Sequence, residues 1–382
     1  MLIALGSRTI ASYPEGVALA FGFIQYPLGL RTLGHQIVWI ELIKAEQVRA
    51  NPQLVAGFFA FMAKYGLAED CALIAVEDLD NQVLESAEVY GMSRARLADL
   101  VRQSDVLLNF ATSIRQPLLS QFKQTALIDG DPGHLQVCAL EFNFDIQHHH
   151  VLLSVGNKIA DADCEVPRFG RQWKPYRPYV HLPLWPLTPD PGPNAPFTSI
   201  TQWSWEELVM DDRRLSLSKR AAYIRNVALP ILTQRPFELA ANIGANDIAD
   251  DRGLFERNGW RVVEPLAVAG TTEAYQRYLQ TSRAEILCCK PIFKDLHTGW
   301  VSDRSIAYLA SGRPVLAEEN GFSQHLPTGR GILSFNSVEE AAGGVAEIDG
   351  NYALHSRAAR ELAESYFGTR CLEQILRDSL QL

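Results

Sequence analysis

LIALGSRTIASYPEGVALAFGFIQYPLGLRTLGHQIVWIE, residues 2–41, holds the pattern that decides the fold. Leu2-Ile3-Ala4-Leu5 is a short apolar run entering Gly6-Ser7, which reads as a strand followed by a loop. From about Gly16 to Leu33 apolar residues, Phe21, Ile24, Leu28 and Leu33 among them, recur at steps suited to a helix, and Gly34 supplies a stop. Ile37-Val38-Trp39-Ile40 then reads as a buried strand ending at Glu41. Strand, helix and strand in this length make one βαβ unit.

The same alternation continues outward. Helical patterns cover about 52–65 and 93–103, and strands are expected at Asp105–Asn109, Ala126–Asp129 and Val151–Val155. Nine of the 20 prolines then fall between Pro167 and Pro196. Proline at that density blocks helix and central strand. The segment is expected to be an extended connector, and Trp173, Tyr176, Tyr179 and Trp185 predict that it packs on something.

Beyond it, strands are expected at Phe197–Ile200, Phe237–Ile243, Arg261–Val263, Ala284–Cys289, Arg313–Ala317 and Gly331–Phe335. Helices are expected at about 247–258, Thr271–Leu279, Ser302–Ala310, from Ser337, from Tyr352 to Tyr366 and from Thr369. Repeated βα units mean mostly parallel sheets with helices on both faces. The expected architecture is α/β, with two doubly wound, Rossmann-like domains facing each other across a cleft and a boundary near residue 190.

Composition agrees with a folded protein. The apolar share is 47% and the charged share 21%, which argues against disorder. No stretch is long and apolar enough for a membrane span, and the five-residue apolar run at the start is no secretory signal. The net charge of −9 argues against a nucleic-acid partner. The six cysteines include no CxxC, and isolated thiols predict a reducing cytoplasm. No GxGxxG follows any expected strand, which disfavours a dinucleotide oxidoreductase.

Chemistry is expected in loops at strand exits, facing the cleft. The run His297-Thr-Gly-Trp-Val-Ser-Asp-Arg-Ser-Ile-Ala-Tyr-Leu-Ala-Ser-Gly-Arg-Pro-Val-Leu-Ala-Glu-Glu-Asn-Gly321 opens a helix after Gly299. A helix start suits a phosphate, with Ser302 and Asp303 in its first turn and Gly299 permitting close approach. Glu318 and Glu319 leave the next strand, where carboxylates can hold sugar hydroxyls. The plainer reading is a Ser302 cap and two solvated glutamates. Lys290, Lys294, His297 and Arg304 gather positive charge near the same place. His148-His149-His150 invites a metal, but neighbouring side chains in an extended segment point apart, so no metal site is expected there.

The 297–321 run resembles the donor half of GT-B glycosyltransferases. In that superfamily a Gly-containing loop and helix start take the nucleotide-sugar pyrophosphate, and a small-Gly-x-Pro turn leads into the next strand. Gly29–Ile37 is similar to the opening acceptor-domain unit. Tyr275-x-x-Tyr278-x-x-x-Ser282-Arg283-Ala284-Glu285 and Ser302–Ser305 resemble a bacterial subgroup of glycosyltransferase-like proteins. The resemblance implies an acceptor domain at 1–190, a donor domain at 191–368, and a terminal helix, 369–382, packing back on the first domain. It implies a nucleotide-sugar as co-substrate, no other cofactor and no metal. Lys290, Gly299, Ser302, Asp303, Arg304, Glu318 and Glu319 would hold the donor.

Where many retaining relatives carry Glu-x7-Glu, this chain has Gly299 and Ala307. Asp303, one turn earlier, is the expected substitute for the missing carboxylate. A transferase also needs a base for the acceptor proton. Asp131 and His134 in Asp129-Gly-Asp131-Pro-Gly-His134 are candidates, as is Glu15, although Asp131 also reads as a turn cap. The expected function is glycosyl transfer to an unidentified acceptor. The alternatives are a sugar-nucleotide epimerase or phosphorylase on the same cleft, or a non-catalytic nucleotide- or sugar-binding protein.

Overall fold

The computed structural model describes residues 1–244 and 250–381. The first sheet is built from β1 (Leu2–Ser7), β2 (Gln36–Lys44), β3 (Cys71–Val76), β4 (Glu88–Tyr90), β5 (Val106–Phe110), β6 (Thr125–Asp129), β7 (Val151–Ser154) and β8 (Trp173–Pro175). Its order is β4-β3-β2-β1-β5-β6-β7-β8, and every pair is parallel except β3–β4. The second half adds β9 (Phe197–Thr201), a hairpin of β10 (Glu207–Met210) and β11 (Arg213–Ser216), then β12 (Phe237–Ala241), β13 (Trp260–Val263), β14 (Ala284–Leu287), β15 (Val315–Glu318) and β16 (Ile332–Phe335). Its parallel sheet runs β13-β12-β9-β14-β15-β16. Both sheets are doubly wound, with strand order reversing beside β1 and β9.

The decisive stretch folds as read, with a helix at Val17–Thr32 between β1 and β2. β1 is buried from Ile3 onward and β2 from Ile37 to Ile43, because helices cover both faces of a parallel sheet. β2 does not stop at Glu41. Its carboxylate is fully buried inside the strand, accepting from the Ala11 N–H and the Trp39 indole N–H at 3.0 Å each. Burial pushes this carboxyl up to about 7, against the pull of those donors.

Some elements lie outside the sequence expectation. β3 was an apolar run, Cys71–Val76, that periodicity alone did not mark. The β10–β11 hairpin turns at Asp211 and Asp212, both at positive φ, a weaker turn signal in sequence than Asn-Gly. The helix expected from 247 is described from Asp251 to Arg257, capped by Asp250 on the Gly253 N–H at 3.1 Å; the expected residues 247–249 lie outside the described set.

The proline-rich connector contains one strand, β8. It sits at the sheet edge, where proline's missing donor is tolerated. From Tyr176 the chain packs on the 17–32 helix. Gln25 Oε1 accepts from the His181 N–H and the Trp185 indole N–H, both at 2.9 Å. Trp185 lies 5.3 Å from Phe21 and 6.0 Å from Tyr275, so one aromatic cluster joins both halves. The terminal helix Thr369–Leu380 returns to the first sheet's side, where Lys174 meets Asp378 at 3.3 Å and Gln124 donates to the Ser379 carbonyl at 2.8 Å.

Leu372 on that helix is fully buried. Leu372→Ala is expected to lower the unfolding free energy by about 2–5 kcal/mol in denaturant titration. A change near zero would mean that the helix adds no packing.

Candidate active site

The cleft lies at the carboxyl ends of the strands. Arg8 and Thr9 leave β1; Ala111 and Thr112 leave β5; Asp129, Gly130 and Asp131 end or follow β6. From the second half come Lys290, beyond β14, and Val301 and Asp303 at a helix start. All line one cavity of about 530 Å³. Ala111 and Thr112 hold φ of 48° and 56°, strained for a β-branched threonine, and sit in the cavity wall.

Asp131 is the polar centre of this cavity. Its Oδ2 meets the Lys290 ammonium across the cleft and His134 Nδ1 at 3.2 Å, while its Oδ1 is shielded and has no hydrogen-bond partner. Burial alone would raise this carboxyl. The Lys290 charge and His134 outweigh burial and hold it at about 2. Asp129, fully inside, accepts from Ser154 Oγ at 2.7 Å, Gln136 Nε2 at 2.9 Å and the Asp131 N–H at 3.1 Å, which fixes the loop that presents Asp131.

Behind Lys290 lies a residue the sequence reading missed. Lys219 caps the Arg220–Arg225 helix just after the hairpin, is 8% exposed, and sits 5.4 Å from the Trp300 ring centre. Among the described residues it makes no ion pair. Burial, then the charges of Arg304 and Lys290, pull its ammonium down to about 8. Arg304 itself pairs with the buried Glu285 at 2.7 Å and leaves Nη2 without a partner. Buried cations that outnumber their carboxylates mark a place for an anion. A lone lysine among serines, SLSKR, carries no sequence signal of this; only the packing of the hairpin on the 291–295 helix reveals it.

Of the expected site residues, Asp131, His134, Lys290 and Asp303 line the one cavity. The others do different work. Glu318 is buried and accepts from Arg225 at 3.0 Å, Lys294 at 3.1 Å and the Cys289 N–H at 3.2 Å, so its oxygens are committed within the fold. Glu319 Oε1 accepts from the Gly321 N–H at 2.6 Å and the Asn320 N–H at 3.1 Å, closing a turn. Gly299 needs its φ of 66°, but the close neighbour is Lys158, whose Cγ lies 2.9 Å from where a Cβ would stand. Ser302 caps the helix by accepting from the Arg304 N–H at 3.2 Å. Glu15 is exposed and outside the cavity lining. His149 is buried between Asn109 at 2.9 Å and the Asp145 carbonyl at 3.0 Å, while His150 Nδ1 faces Thr125 at 2.9 Å, so the histidines diverge.

The two facing doubly wound domains are the GT-B glycosyltransferase fold, and solved structures of that class superpose over the whole chain. An alpha-glucosyltransferase (AGT) in complex with UDP shares 11% identity, with 100% of both chains covered and a TM-score of 0.62. Anabaena HepE, solved with UDP and glucose, shares 12% identity over 100% of this chain and 99% of its own, with a TM-score of 0.55. A glycosyltransferase from Rickettsia africae ESF-5 shares 13% over 100% and 98%, with a TM-score of 0.59. No protein-family profile and no curated protein sequence matches the chain. Among the described residues no helix is long and apolar enough to cross a membrane.

An ammonium with little access to water and two like charges near it costs stability. Lys219→Met is expected to raise the unfolding free energy at neutral pH by about 1–3 kcal/mol. The sign follows from a lowered folded value: the penalty is full below about 8 and fades as pH climbs toward the ordinary lysine value of 10.5. Urea titrations of both proteins across that range check this; a less stable variant would show that Lys219 is compensated.

Proposed function

We propose that the protein is a glycosyltransferase that moves a sugar from a nucleotide-sugar donor to an acceptor hydroxyl in this cleft. The observation that carries the reading is the buried Lys219 beside Arg304 and Lys290, held with no ion pair of its own. A nucleoside diphosphate brings the negative charge that this group lacks. The solved neighbours that hold UDP or UDP-glucose support the same assignment.

In the proposed reaction the acceptor oxygen bonds to the anomeric carbon while the bond from that carbon to the diphosphate breaks, its electron pair leaving with phosphate. Lys219, Lys290 and the free Nη2 of Arg304 meet the growing charge, and the reading needs no metal or further cofactor. Asp303, exposed at the cavity rim, is the proposed acceptor for a donor hydroxyl. Asp131, assisted by His134, takes the acceptor proton. Its low value in the free protein follows from Lys290. Once a diphosphate draws that ammonium away, the carboxylate becomes more basic, so the base is released only when donor is bound. Six unpaired thiols support a cytoplasmic location.

Thermal unfolding with UDP, GDP, CDP, ADP and TDP tests the donor half. UDP is expected to raise Tm, and Lys219→Met to abolish the rise. No response to any of the five would overturn the reading. Asp131→Asn is expected to keep the nucleotide response and lose about 10²–10⁴-fold in transfer; unchanged transfer would remove Asp131 as base.

A further inference from the structure

We propose, resting on the transferase reading, that the acceptor is a small molecule whose hydroxyl is carried on a planar aromatic body. The first-domain side of the cavity is walled by six aromatic side chains, Phe23, Tyr26, Phe110, Phe144, Tyr176 and Tyr179. They form an edge-to-face array: Phe23 and Phe110 are 5.0 Å apart at 61°, Tyr26 and Phe110 5.0 Å apart at 65°, and Tyr26 and Tyr179 5.7 Å apart at 60°. Rings in such an array offer faces and edges to a further ring. They offer few partners to the hydroxyls of a sugar, each of which would lose its water without replacement. The cavity's 530 Å³ is in the range of small-molecule sites and excludes a long lipid chain or a polymer from its interior.

Polar groups meet this wall at the strand exits, Arg8 and Thr9 after β1, Thr112 after β5 and Asp131 and His134 after β6, with Lys290 and Asp303 facing them. Asp131 and His134 stand together at the β6 exit, and the shielded Oδ1 of Asp131 lacks a hydrogen-bond donor. A phenolic hydroxyl supplies that donor while its ring occupies the aromatic wall. Ala111 and Thr112, at positive φ, follow Phe110 directly at the β5 exit. An extruded nucleic-acid base is also planar, and an alpha-glucosyltransferase of this fold is solved with UDP and a 13-mer DNA. A duplex, however, must be held by phosphate contacts, which a chain of net charge −9 disfavours.

Equilibrium dialysis of the full chain with 4-methylumbelliferone, a planar hydroxylated aromatic, tests the class without needing a donor. Saturable binding is expected, weakened at least tenfold by Phe23→Ala and by Leu135→Glu, at a second side chain that lines the cavity, while both variants keep their nucleotide response. With the matching nucleotide-sugar, the same compound is expected to be glycosylated. No binding alongside an intact nucleotide response overturns the aromatic acceptor and leaves the transferase reading standing. Aromatic binding with no response to any nucleotide overturns the transferase reading instead. Binding that both variants leave unchanged, or displacement by methyl glucoside or a 13-mer DNA at lower concentration than unlabelled 2-naphthol, overturns the proposal.

Discussion

Lys219, Arg304 and Lys290 act on one another beside β14, and the buried carboxylate among them, Glu285, is already held by Arg304 and by Ser305 Oγ at 2.5 Å. Lys290 satisfies itself by reaching across to Asp131. Lys219 is left with a ring face and two like charges. Such an arrangement opposes folding and persists when a ligand repays it. Any anion that binds here stabilises the native state by mass action. The rest of the cleft takes its meaning from that imbalance: the side that lacks negative charge faces the side that offers Asp131.

The two halves meet through contacts of unequal kind. At the back, Phe21, Trp185 and Tyr275 form one aromatic cluster, and the indole N–H of Trp185 is tied to Gln25. Beside the cleft the bridges are both polar and apolar: Lys290 meets Asp131, His325 meets Asp161 at 3.0 Å and the Asn157 amide donates to the Gly299 carbonyl at 2.7 Å, while Ile292 and Leu296 share an apolar cluster with Leu127, Val137 and Leu152. Apolar contacts exclude water and resist separation, whereas solvent competes for ion pairs at a rim.

The fold was legible wherever burial writes a pattern. Strands covered on both faces appear as unbroken apolar runs, so β1, β2, β5, β6 and β14 stand out in sequence, and the loops after β6 and β14 led directly to Asp131, His134 and Lys290. Glu41 misled because a buried glutamate looks like a strand end until its partners, Ala11 and Trp39, are seen. Glu318 misled for a similar reason: Arg225 lies far away in sequence and meets it only through the sheet. Gly299 was read as a glycine that lets backbone approach a ligand closely; it holds a φ of 66°, and the group that crowds it is Lys158 of the other half. Local sequence carries conformational need well and carries partner identity poorly.

The helix Asp303–Ala310 shows where the departure from Glu-x7-Glu leads. Residues Ser305 to Ala310 are all buried, and Ala307 is 2% exposed, so a carboxylate at that position would have to displace core. Only the first turn meets the cleft. There the Arg304 N–H is already taken by Ser302 Oγ at 3.2 Å and Asp303 Oδ1 at 2.9 Å, which removes that donor from phosphate binding. On the proposed reading charge recognition falls to Lys219, Lys290 and Arg304, and Asp303 is the carboxylate of this helix that lines the cavity.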